Sequence, residues 1–228
     1  LDCRLEYGQS GACGITSIIT NTHIITAGLG DCLAASIHKT DDIRELSSRH
    51  SGDNIWEQER LEESFEHESR LLVTYKDRIY LKGFVHPTRF FGGMFLQDEG
   101  VNQAMPEMYH ITPFNGPYIS MEPSVTCVAR GDVSFLVVGS DGVWDHVSPK
   151  NAKYVLQDAS FRERLRNTTN KNSSSKPINL AHLLNIDALE RSCAQVGRHY
   201  QEVKESVPEG KERRLFHDDI TSIVVAFD

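Results

Sequence analysis

Three short runs rich in β-branched residues, HIITAG (23–28), SFLVVG (134–139) and ITSIVVAF (220–227), constrain this chain more than any other feature. Each is too short for a core helix and each reads as a buried or half-buried strand. The first belongs to a longer pattern. ITSIIT (15–20), a polar turn at Asn21–Thr22, HIITAG and then CLAASIHK (32–39) read as an antiparallel meander, because the first connection is too short for any other pairing. Helical text comes later. SGDNIWEQERLEESFEHES (51–69) places Leu61 and Phe65 four apart, so the spacing predicts an exposed helix capped near Asp53, and its six glutamates read as a solvated face. Residues 77–125 are punctuated by Gly, Pro and aromatics and read as loops with short strands. Ser148-Pro149 opens a helix with Ala152, Val155 and Leu156 on one face, and residues 178–203 present Leu180, Leu183, Leu184, Ala188 and Leu189 as a second core-facing helix. Between them NTTNKNSSSKP (167–177) is polar and of low complexity, and is expected to be a mobile insert. Strands first, helices later and one last strand predict an antiparallel α+β fold, since a parallel sheet needs strand and helix to alternate.

Composition narrows the partners. Thirty-two acidic against twenty-four basic residues give a net charge of −8, which repels phosphate backbones and anionic lipid, so neither nucleic acid nor a membrane is an expected partner. Five cysteines with no CxxC pair indicate neither a disulfide framework nor a zinc knuckle. They fit a reducing compartment. No run approaches the ~18 apolar residues of a spanning helix, and LDCRLEYGQSG lacks the basic and apolar regions of a signal peptide. The chain is therefore expected to be soluble and intracellular.

Acidic residues recur at strand ends. HIITAGLGD delivers Asp31, SFLVVGSD delivers Asp141 with Asp145 four residues on, and Asp218-Asp219 precede the last strand. In the sequence only Arg213-Arg214 lie near any of these clusters, and a carboxylate beside a buried strand is costly without positive compensation. A divalent cation supplies it, and short oxygen ligands suit Mg²⁺ or Mn²⁺. One such cluster by itself reads as an ordinary Asp-Gly turn, and only the threefold recurrence points to a shared cation. His50, His86, His110 and His217 are scattered singly and read as structural or surface residues. Arg89 is open between meeting an anion and pairing with a surface carboxylate.

GLGD, GSDGVWD and DDIT followed by a terminal apolar strand resemble, in order and approximate spacing, three motifs of the metal-dependent serine/threonine protein phosphatases of type 2C. SGACGITSIIT resembles that family's SGsTA strand opening, LSSRHS its LtxDH turn, TRFFGG its sRaFGD and MEPSV its aEPdv. DDIT and GPYISMEPSV look most like the pyruvate dehydrogenase phosphatase branch. The resemblance implies a four-layer α-β-β-α sandwich of two antiparallel sheets flanked by helices, with residues 1–228 as a single, N-terminally incomplete domain. It implies a cytoplasmic or mitochondrial-matrix location and a phosphoprotein substrate. It further implies two Mn²⁺ or Mg²⁺ ions with an additional weaker one: Asp141 as central ligand, Asp218 completing one shell, and Asp31 and Asp145 at the additional site. The ions would activate a water to attack a phosphoserine or phosphothreonine phosphorus in line. The general acid and the phosphate-gripping arginine belong to segments ahead of SGsTA that have no counterpart here. Three residues depart from the pattern: Gly93 stands for the Asp of RaFGD, Cys32 for a Ser, and Asp219 for the commoner Asn. Two other readings compete. An inactive relative would use the same fold as a docking or regulatory module. A haloacid-dehalogenase-type nucleophile loop would need an aspartate where Gly139 stands.

Overall fold

The computed structural model describes residues 6–169 and 178–227. Its strands are, in chain order, β1 (Gly11–Ala12), β2 (Gly14–Ile19), β3 (His23–Leu29), β4 (Leu33–His38), β5 (Ile43–Glu45), β6 (Leu72–Tyr75), β7 (Arg78–Leu81), β8 (Phe91–Gly92), β9 (Ser124–Ala129), β10 (Val133–Gly139) and β11 (Ser222–Ala226). Its α-helices are α1 (Glu6–Gln9), α2 (Ile55–Ser64), α3 (Glu99–Ala104), α4 (Asp141–Trp144), α5 (Pro149–Thr169), α6 (Leu180–Gln195) and α7 (Tyr200–Ser206). The fold is α+β, and every strand pair with an assigned register is antiparallel, as the order of elements predicts. The chain divides into two compact units. One comprises residues 1–19, 24–32 and 47–127, the other residues 20–23, 33–46 and 128–228.

In the first unit β2 pairs with β3, Gly14 opposite Leu29 and Ile19 opposite Ile24, with β9 on the other side of β3. The hairpin β6–β7 and the short pair β1–β8 complete its strands. Leu61 of α2 is fully buried among Leu71, Leu81, Phe90, Phe95 and Tyr118, and Phe65 packs on the same cluster, so the predicted four-residue spacing is the helix's core stripe. The cap falls one residue later than expected. Asn54 Oδ1 accepts the Trp56 N–H, while Asp53 accepts the Ile79 N–H.

The second unit holds a four-stranded sheet in the order β11–β10–β4–β5. Here the expected meander is corrected: the run starting at Cys32 pairs not with β3 but with β10 and β5. All six β4 residues are buried, and a strand with both faces covered belongs inside a sheet. Helices α5 and α6 cover one face, packing Ala152, Leu156, Leu184 and Ala188 on Ile37, Phe135 and Val137. Ser148 Oγ accepts the Asn151 N–H at the start of α5, the cap that Ser-Pro announces. The helix runs on through Thr169, into the stretch expected to be mobile, and residues 170–177 lie outside the described residues. The single helix expected over residues 178–203 is two, separated at Gly197, which takes the left-handed φ of +71°.

Candidate metal centre

Asp141 owes its position to the end of β10. That strand is buried along most of its length and stops at Gly139, opposite Ser222 of β11. Ser140 is extended, and the chain then closes a single turn, α4, in which the Asp145 N–H donates to the Asp141 carbonyl at 2.8 Å. The turn is anchored from below: Val143 is fully buried, and the buried Trp144 donates Nε1–H to the Leu33 carbonyl at 2.9 Å. Asp141 is thereby the first residue of a rigidly seated turn, its Oδ1 accepting the Gly142 N–H at 2.8 Å. Asp145, half-buried, stands one turn on.

The same register brings in the acids of DDIT. Ser140 N–H donates to the Thr221 carbonyl at 3.0 Å, Thr221 N–H donates to Ser140 Oγ at 3.2 Å, and Ser140 Oγ–H reaches the Asp219 carbonyl at 3.4 Å. Gly142 packs so closely on this loop that a Cβ there would lie 2.4 Å from the Asp219 carbonyl oxygen. Asp218 Oδ1 accepts the Asp219 N–H at 2.7 Å. Arg214 engages Asp219 at 2.6 Å and stands 3.9 Å from Asp218, so the neighbouring acid takes most of its charge. The loops carrying Asp141, Asp145 and Asp218 are therefore hydrogen-bonded neighbours. Among the described residues, no three His, Cys, Asp or Glu side chains converge to hold an ion. The donors nonetheless suit a hard cation in kind, since Mg²⁺ keeps several waters and takes one or two carboxylates from a protein. Gly142→Ala tests the loop contact: the backbone must shift to admit the methyl group, and a stability loss of about 1–3 kcal/mol is expected in urea denaturation.

Asp31 belongs to the first unit, where its surroundings are set by residues distant in the sequence. It is 2 % exposed, its N–H donates to Cys13 Sγ at 3.3 Å, and Arg49 Nε donates to its Oδ1 at 2.5 Å. Its Oδ2 is buried without a hydrogen bond, and His86 Nε2 stands 3.6 Å away. Arg213-Arg214 are therefore not the only cations beside an acidic cluster: Asp31 takes its basic partner from 18 positions downstream. The adjacent His50 is also structural. Gly30 N–H donates to its Nδ1 at 3.2 Å, which requires that nitrogen to be bare, and burial above all, reinforced by Arg89, holds its pKa below the usual imidazole range.

Glu57 corrects the reading of α2 as carrying only a solvated acidic face. It is 3 % exposed and accepts from Arg89 Nη2 at 2.5 Å, Thr88 Oγ1 at 2.6 Å and Arg60 Nη2 at 2.8 Å. Burial alone would raise its pKa, but these donors outweigh it and hold the carboxyl at about 2. Arg89 thus meets a carboxylate, a buried one, and its Nη1 also donates to the Glu122 carbonyl. Four residues on, Gly93 has φ +62°, and a Cβ there would lie 2.5 Å from the Phe90 ring. The aspartate of the related pattern cannot be restored at this position without displacing that ring.

The chain is thus α+β with antiparallel sheets, and acidic loops stand at the ends of two adjacent strands. The sequence profile of the family "Protein phosphatase 2C" matches residues 2–184, and the chain belongs to that family. "Probable protein phosphatase 2C 78" of Oryza sativa subsp. japonica is 29% identical, the match covering 98% of this chain and 54% of the relative. "Probable protein phosphatase 2C 64" of Arabidopsis thaliana is 26% identical, covering 99% and 54%. The chain spans about half the length of these curated relatives. The crystal structure of a serine-threonine phosphatase 2C from Toxoplasma gondii superposes with a TM-score of 0.61 at 17% identity, covering 99% of this chain and 61% of that one. A C. elegans sex determining protein gives 0.55 at 16% identity, covering 86% and 43%. At these identities the structural likeness speaks for the fold alone. No helix among the described residues is long and apolar enough to cross a membrane.

Proposed function

We propose that the protein to which residues 1–228 belong removes phosphate from phosphoserine or phosphothreonine in protein substrates, in a Mn²⁺- or Mg²⁺-dependent reaction, and that these residues act within one domain of this type. One observation carries the reading: the β10–β11 register sets the Asp141 turn against the Asp218–Asp219 loop. Asp141 and Asp218 are the residues that would hold the ions, with Asp145 contributing from the following turn. Bound divalent cations supply Lewis-acid chemistry, making water a nucleophile near neutral pH and drawing charge off the phosphoryl oxygens. The chain's own part is to keep short carboxylates on a turn that cannot drift, because Val143 and Trp144 fix it from below and Ser140 ties it to the partner loop. Arg214, paired with Asp219, limits the net negative charge that a dianionic phosphate must approach. Cys13, Cys32, Cys127 and Cys193 form no disulfide among the described residues, which favours a reducing compartment.

The competing reading, an inactive docking module, draws on Gly93 and on the lack of a three-ligand cluster among the described residues. Calorimetric titration of the full-length protein with Mn²⁺, run beside phosphate release from a phosphoprotein, separates the two. The phosphatase reading expects saturable binding and metal-stimulated release. Folded protein that shows neither defeats it.

A further inference from the structure

We infer that Arg49, not a divalent ion, is the standing counter-cation of Asp31, so that Asp31 contributes no ion ligand in this protein. The inference rests on the proposed function only in treating Asp31 as a candidate ligand at all. Its evidence lies within the first unit. Asp31 is 2 % exposed and Arg49 Nε meets Oδ1 at 2.5 Å, a charge-assisted contact from a group that stays protonated at any ordinary pH.

The contact is built into the backbone. Gly30 and His50, the residues beside Asp31 and Arg49, are joined twice: His50 N–H donates to the Gly30 carbonyl at 2.9 Å, and Gly30 N–H donates to His50 Nδ1 at 3.2 Å. The Arg49 carbonyl accepts Asn54 Nδ2–H at 2.7 Å, and the His50 carbonyl accepts the Thr88 N–H at 2.9 Å. Arg49 therefore sits on a loop stitched from both sides to the strand end that carries Asp31. A divalent ion here would have to share one carboxylate with a fixed cation, and among the described residues no third acidic, histidine or cysteine ligand converges to offset that repulsion. The sequence marks the spot: Arg49 fills, in LSSRHS, the place of the Asp in the related LtxDH turn.

The test uses the full-length protein, its Asp31→Asn and Arg49→Gln variants, and the double variant. Free Mn²⁺ is counted by electron paramagnetic resonance, and thermal unfolding is followed in EDTA. Asp31→Asn is expected to bind as many Mn²⁺ ions as the wild type. In EDTA each single variant is expected to melt roughly 5 °C or more below the wild type, with the double variant no worse than the sum of the two. One fewer Mn²⁺ in Asp31→Asn overturns the inference, and so does an unchanged melting temperature of either single variant in EDTA. If no protein binds Mn²⁺, the proposed function falls, and the EDTA melts still decide the role of Arg49.

Discussion

In the full-length protein, Asp141→Ala is expected to reduce metal-stimulated phosphate release by at least ~10²-fold while leaving the fold intact. The two halves of this expectation have separate causes. Losing an outer partner of a metal ligand typically costs about 10–100-fold in affinity or activity, so losing a central ligand costs no less. The fold is spared because Asp141 is only half-buried and its side-chain bond to the Gly142 N–H is local. The anchors of the turn are Val143, Trp144 and the Ser140–Thr221 pair, all retained by the variant. Destabilisation should stay near 1 kcal/mol, about the worth of one hydrogen bond. Circular dichroism and urea denaturation check the fold, Mn²⁺ calorimetry the ligand, and phosphate release the chemistry. Undiminished metal-dependent turnover in the folded variant would remove Asp141 from the reaction and with it the proposed site.

How far such a site can be read from the amino-acid sequence depends on how local its causes are. Asp141 is legible because the buried strand and the Asp-Gly turn that place it are contiguous. The last strand is legible for the same reason, and its register with β10 completes the pair of loops. What stays hidden is set by distant partners. Glu57 looks like one of six exposed glutamates until Thr88 and Arg89 arrive, 31 and 32 residues later. Arg49 stands out in LSSRHS only as a departure from the related turn, and its pairing with Asp31, 18 positions upstream, appears only in the folded chain. β4 looks like the third strand of a meander, and only its pairing with β10, about a hundred residues on, removes it to another sheet. Helix α3 escapes notice because six residues containing Gly100 carry no period, and it forms around Asp98, which caps Val101, and the buried Asn102, which bonds the Phe95 and Tyr109 carbonyls.

Glu57→Gln is expected to destabilise the protein by about 3 kcal/mol at neutral pH, because it removes the charge from a buried cluster while preserving its shape. Arg89 then keeps one amide oxygen and the Glu122 carbonyl as acceptors but loses the second carboxylate oxygen and its counter-charge with its guanidinium largely out of water, and breaking a buried ion pair in this way costs about 3–5 kcal/mol. The pH dependence gives an independent check. The folded pKa of Glu57 is depressed, about 2 against an ordinary 4.5, so its contribution is complete above about pH 4.5 and is lost as pH falls toward 2. A shift of this size corresponds to roughly 3 kcal/mol, in line with the cost of the substitution. His50 acts earlier on the same scale. Its folded pKa also lies below the ordinary value, so the unfolded chain takes up a proton first, and stability begins to fall as pH drops through the usual histidine range. Urea midpoints measured from pH 7 down to pH 3 should therefore show two stages of loss in the wild type. In Glu57→Gln the starting stability is lower, the histidine stage is kept and the stage below pH 4.5 is reduced. An equally steep loss below pH 4.5 in the variant would show that other carboxylates govern acid unfolding and that the Glu57 cluster is not the clamp its hydrogen bonds describe.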